Sequence, residues 1–184
     1  MTRIKMMLLP LMLVTGFVSG AQSLNTNWST ELSEILRQFT ACDESIDCAQ
    51  YSGKSLNSVY KVNDFYSPQQ DRYMQGGEIV DFLESSPKWQ LLGHAYKQDV
   101  LNEAQQHANS KKAVVALYHD NNGASHMALI LPGELQASGS WGLQVPNSAS
   151  FLLADPARSY VGKGLSYAFA KHHLKDVVIF ARSY

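Results

Sequence analysis

The stretch Ala113-Val114-Val115-Ala116-Leu117-Tyr118-His119-Asp120-Asn121-Asn122-Gly123-Ala124-Ser125-His126-Met127-Ala128-Leu129-Ile130-Leu131 decides the fold. Two apolar runs rich in strand-forming residues flank Asn121-Asn122-Gly123, a sequence suited to a tight turn because asparagine and glycine accept left-handed backbone. The pattern predicts a β-hairpin with strands over 113–118 and 126–131, the second ended by Pro132-Gly133.

Strand signals continue downstream. Trp141 to Val145 and Ala149 to Leu153 read as two strands separated by Pro146-Asn147-Ser148, and Val177 to Ala181 reads as a last one. Leu165, Ala168, Phe169 and His172 mark a short helix between them. Upstream the period changes to that of helices. Leu32, Ile35, Leu36 and Phe39 predict an amphipathic helix over 28–39, followed by a short acidic loop from Cys42 to Asp47. Ala49, Gly53, Leu56 and Val59 predict a second helix, with Asp47 as its N-cap and Cys48 in its first turn. Residues 65–75 read as an ordered loop. Helices are expected over 77–84, stopped by Pro87, and over 98–108. Helices first and an antiparallel sheet after them define an α+β domain.

The chain has 184 residues, 45% of them hydrophobic and 17% charged, with a net charge of −1. That length suits one domain with a sizeable core. No basic stripe is present, which argues against a nucleic-acid partner. Arg3 and Lys5 precede a nearly continuous apolar run from Met6 to Val18, and Ser19-Gly20-Ala21 follows with small residues. This is the pattern of a cleavable signal peptide over 1–21, with a mature domain over 22–184 in the periplasm or outside the cell. The run is too short for a comfortable membrane span, so no stable membrane insertion is expected.

In an oxidising compartment the two cysteines carry information. Cys42 and Cys48 are too few for a disulfide framework. Either they form one local disulfide, or Cys48 is a free thiol with a task. A helix start lowers a thiol pKa through unpaired N–H groups and the positive dipole end, and a nearby histidine can take its proton. Among six histidines His126 is the best partner, because it opens a rigid apolar strand. His119, at the other end of the hairpin, is its main rival. His94, His107, His172 and His173 read as surface residues. A third polar group would orient the imidazole. Asn147 is the candidate, with Asp155 as the alternative; each also suits an ordinary turn. No phosphate loop, zinc-ligand spacing or serine nucleophile elbow is found, and no cofactor or metal is expected.

At Asp47-Cys48 and Ser125-His126-Met127-Ala128-Leu129-Ile130 the chain resembles the NlpC-like, papain-fold cell-wall peptidases and amidases. The segment from His126 through Asn147-Ser148 is also similar to amidase effectors delivered by type VI secretion. Ala49-Gln50 stands where the family usually has Ser-Gly, and His126 follows serine rather than glycine. The resemblance implies a papain-like domain in which N-terminal helices pack on an antiparallel sheet. It also implies hydrolysis of an amide in peptidoglycan stem peptides, with Cys48 as nucleophile through a thioester, His126 as base and Asn147 as third residue. Two other readings stand beside it. One is a secreted Cys-His peptidase, deamidase or acyltransferase acting on proteins; the other is a non-catalytic periplasmic binding module stapled by Cys42–Cys48.

Overall fold

A computed structural model describes residues 23–43, 45–120 and 122–184. The expected signal peptide over 1–21 lies outside them. In chain order the helices and first strands are α1 (Trp28–Thr40), α2 (Ser45–Cys48), α3 (Tyr51–Tyr60), β1 (Tyr66–Ser67), β2 (Arg72–Tyr73), α4 (Gly76–Ser85), β3 (Trp89–His94) and α5 (Gln98–Asn109). Then come β4 (Val114–His119), β5 (Ser125–Ile130), β6 (Gln136–Ser138), β7 (Leu143–Val145), β8 (Asn147–Ser150), β9 (Tyr160–Gly164) and β10 (Val178–Arg182). Short 3-10 turns span Pro156–Arg158, Leu165–Tyr167 and Lys171–His173. The chain is therefore α+β, as its pattern predicts.

Six strands form one antiparallel sheet in the order β3-β10-β4-β5-β8-β9. Its centre is the predicted hairpin, with Val114 opposite Ile130 and His119 opposite Ser125. The Asp120 carboxylate accepts from the backbone N–H groups of Asn122 and Ala124, and Gly123 takes φ +84°, so the turn closes as its residue types require.

Both faces of the sheet are covered. Alternate residues of each strand point to opposite sides. Val115, Leu117, Met127 and Leu129 pack with Leu32, Phe39, Leu56, Tyr60, Ile79 and Leu83 from α1, α3 and α4. Val114, Ala116, Ala128 and Ile130 pack with Val100, Leu101 and Ala104 from α5 and with Trp141, Val145 and Phe169. Asp64, after α3, ties the helical layer to the sheet: it receives Arg182 Nε at 2.7 Å and Trp89 Nε1 at 3.1 Å.

Several expectations need correction. The second helix does not start at Cys48; Cys48 ends the single turn α2, and α3 begins at Tyr51 with Gln50 as its N-cap. Asp47 lies inside α2, where its carboxylate accepts from Gln50 Nε2 at 3.2 Å. The loop over 65–75 carries the small ladder β1–β2. The helix expected around Leu165 to His172 is instead two 3-10 turns, divided where Ala170 goes extended. Strands β3, β6 and β9 were not expected from pattern. β3 and β9 are sheet edges, half exposed and glycine-containing, so they lack a clean apolar alternation.

Amide side chains on α5 hold the segment that leaves β5 and returns as β8. Gln98 exchanges two hydrogen bonds with the backbone of Gln144, and Asn109 exchanges two with Gly133. Buried Gln105 donates to the Leu131 carbonyl at 2.9 Å and accepts from the Asn147 N–H at 2.8 Å. Gln105→Leu keeps the volume but orphans both backbone groups, and is expected to cost about 2 to 4 kcal/mol in urea unfolding. A loss below about 0.5 kcal/mol would show that the strap is dispensable.

Candidate functional site

Ala49, Ser52, Gly76, Ile79, Ser125 and His126 line one cavity of about 250 Å³, closed on its remaining side by Met127 and the stretch 151–154. It lies where the chain entering α3, the first turn of α4 and the start of β5 converge. The start of α4 is firmly built. Glu78 accepts from the Gln75 N–H at 2.8 Å and from both ends of the Arg72 guanidinium at 2.8 Å, and that guanidinium holds its carboxyl down to about 2. Gly76 packs closely on Ser125: a Cβ there would displace the Ser125 hydroxyl, which would have to rotate away.

Cys48 precedes the cavity-lining Ala49, and its side chain is buried in the helical layer beside Met127, Phe151 and the other residues of that core. Its sulfur is bonded to Cys42, with Cα atoms 5.9 Å apart, and among the described residues no cysteine is free. The free-thiol expectation is thus not met in this state. The reason is local: Cys42 directly follows the C-cap of α1, and the single turn of α2 folds Cys48 back onto it.

His126 sits at the start of β5 as expected, but its ring has the parity of Ala128 and Ile130 rather than that of Met127. Nε2 shares a hydrogen bond of 2.8 Å with buried Ser150 Oγ, and the ring meets Phe169 edge-on at 5.4 Å. Its ring contacts therefore belong to the α5 face of the sheet, and Cys48 packs on the other. Among the described residues no hydrogen bond joins Cys48 to His126. Burial lowers the imidazole pKa from 6.5 to about 4, so the ring is neutral at neutral pH.

Asn147 does not reach His126. It lies beyond Ser148, the partner of Ile130, four residues along β5 from the histidine, or about 13 Å at the rise of a strand. Its side chain donates to the Pro132 carbonyl at 2.9 Å and accepts from Gln136 at 3.2 Å, a structural assignment. Asp155 is exposed and precedes the 3-10 turn Pro156–Arg158, its carbonyl accepting from the Arg158 N–H. Ser150 is the residue the sequence reading missed. Continuing the alternation from Ala149 into the neighbouring strand is the signal that would have found it. The Gln50 side chain accepts from the Tyr73 N–H at 3.1 Å and so anchors the turn after Cys48 to β2.

The rival histidines have other settings. His119 pairs with Glu84 at 3.2 Å and His107 with Glu103 at 3.4 Å. His94 stacks on Tyr96, and its Nδ1 is buried without a hydrogen-bond partner. The rings of His172 and His173 lie 3.9 Å apart, and His173 also meets Tyr118. Among the described residues no three His, Cys, Asp or Glu side chains are grouped to hold a metal, and no helix is long and apolar enough to cross a membrane. Compared with known protein families and with curated proteins, the chain matches none.

The half-buried neutral imidazole has a thermodynamic consequence. Its folded pKa lies below that of the unfolded chain, so on acidification the unfolded state binds the proton first and stability falls between about pH 6.5 and 4. His126→Asn, which keeps a polar group toward Ser150, is expected to flatten the urea midpoint across that window. An equally steep decline in this variant would mean that another group carries the effect.

Proposed function

We propose that this chain is a thiol-dependent peptidoglycan hydrolase of papain-like type, acting in the periplasm or outside the cell. Its cleavage would fall on an amide of the stem peptide or cross-link. The observation that carries the reading is the cavity shared by His126 and by Ala49, the neighbour of Cys48. The residue that follows a helix-turn cysteine and a strand-start histidine border one space large enough for a peptide side chain. The family-like motifs at Asp47-Cys48 and Ser125-His126 supply the substrate class.

In this reading the disulfide form is latent, and a dithiol reductant opens it. The Cys48 thiol then gives its proton to the neutral His126 imidazole as the sulfur attacks the amide carbonyl. The tetrahedral intermediate collapses with loss of the amine, which leaves with that proton. Water hydrolyses the thioester, returning the thiol and releasing the acid. Two movements are needed: Cys48 must part from Cys42, and the His126 ring must turn from Phe169 toward the cavity. Ser150 Oγ, at 2.8 Å, is the polar group that would steady the ring in place of Asn147. Opening the disulfide of this short loop costs about 2 kcal/mol of stability, a fraction of the 5 to 15 typical of a domain, so the reduced protein stays folded.

A second reading is favoured by the disulfide itself and by the His126 ring contacts on the opposite face of the sheet: a non-catalytic binding module stapled at Cys42–Cys48. Digestion of purified sacculi separates the two. Wild type is expected to release muropeptides at least about tenfold faster with a dithiol than without, and Cys42→Ser to be active without reductant. Cys48→Ala should be inactive in both conditions. An intact sacculus with reduced wild type and with Cys42→Ser would overturn the hydrolase and leave the binding module. Cleavage by those same proteins of a denatured protein substrate alone would move the activity to protein amides.

A further inference from the structure

A second and larger cavity, about 450 Å³, opens on the α5 face of the sheet, between the β6–β7 hairpin and the segment 158–171. Its charged lining is Arg158 and Lys171, and no carboxylate lines it. Both side chains are exposed, and among the described residues neither takes part in an ion pair, although most arginines here do. Two like charges facing one concavity repel each other, and an anion placed between them relieves that repulsion while gaining charge-assisted hydrogen bonds. Ser140 and Ser166 add hydroxyl groups, and Ser138 lies behind Ser140 with their oxygens 3.2 Å apart.

The rim carries Tyr167, 59% exposed and the most exposed large apolar side chain described. Its ring is braced: Lys163 Nζ lies 5.3 Å from its centroid, and Tyr160 meets it edge-on at 6.0 Å. A fixed, solvent-facing aromatic ring beside hydroxyl groups suits the apolar face of a sugar, and unpaired cations suit an acid. We propose that this cleft is a binding site for a carboxylate-bearing sugar, with the acid on Arg158 and Lys171 and the pyranose ring on Tyr167. The floor of the cleft includes Phe169, whose ring also packs against His126, so the occupant would sit one aromatic ring away from the histidine.

The proposal deepens the cell-wall reading by naming the glycan side of the substrate, and its test does not depend on the cysteine. N-acetylmuramic acid and N-acetylglucosamine differ by a lactyl group carrying the carboxylate, and both are titrated into the oxidised wild-type protein by two-dimensional NMR. The acid is expected to bind at least about tenfold more tightly, with shifts at Ser166, Tyr167 and Lys171. In Arg158→Gln/Lys171→Gln that preference should vanish, and in Tyr167→Ala both sugars should weaken. All three side chains are exposed, so the variants are expected to unfold at the wild-type temperature. Equal affinity for the two sugars, a preference that survives the double substitution, or absence of binding by the acid would each overturn the proposal. Binding here with inert sacculus assays would sink only the thiol chemistry; the converse would sink only the sugar site.

Discussion

Everything in this molecule depends on the pairing of β4 with β5 in a sheet buried on both faces. Side chains alternate along a strand, so the single register that sets Val114 opposite Ile130 assigns every residue of the hairpin to one of two separate cores. A slip by one residue would exchange the two sets, sending Met127 and Leu129 toward α5 and Ala128 toward the larger helical layer. The small Ala116 and Ala128 face α5, whereas bulky Leu117, Met127 and Leu129 face the three-helix side, so the volumes on the two sides are not interchangeable. The same alternation decides which way His126 points.

That constraint frames the chemistry. The strand carries His126 to the mouth of a cavity bordered by the turn that follows Cys48, yet aims its ring at Ser150 and Phe169. The sulfur is likewise engaged elsewhere, in its bond to Cys42. Both partners of the proposed dyad are thus occupied, one covalently and one by a hydrogen bond, and the proposed chemistry would need one reduction and one ring rotation. Asn147 serves a different purpose: with Gln105 and Asn109 it satisfies backbone groups where the chain leaves β5 and comes back.

Much of the fold was legible in the chain. Residues 28–39, 77–84 and 98–108 announced α1, α4 and α5 through helical spacing, and the hairpin announced itself by composition and by its Asn-Asn-Gly turn. What escaped was governed by tertiary context. Trp89–His94 has no alternation because it is an edge with Leu91 open to solvent, and Tyr160–Gly164 is a strand only because β8 offers it partners. The turn before α3 was misplaced because the disulfide and the Gln50 bonds, rather than capping by Asp47, define where the helix begins. Position 126 was legible as a strand start. Its face was not, because both faces of β5 are apolar and neither is marked by polar alternation.

The strand order carries a further consequence, for the timing of folding. β10 lies between β3 and β4, and β3 joins the sheet through no other strand. Residues 178–182 must therefore insert between two segments that precede them by roughly sixty to ninety positions, a closure of high contact order. Until those five residues arrive, β3 has no neighbour, and one edge of β4 is bare. A nascent chain emerging N-terminus first can assemble its helices and its central hairpin early but cannot complete the sheet. The seam between β3 and β4 is thus the last part of the described sheet that can close as the chain is made.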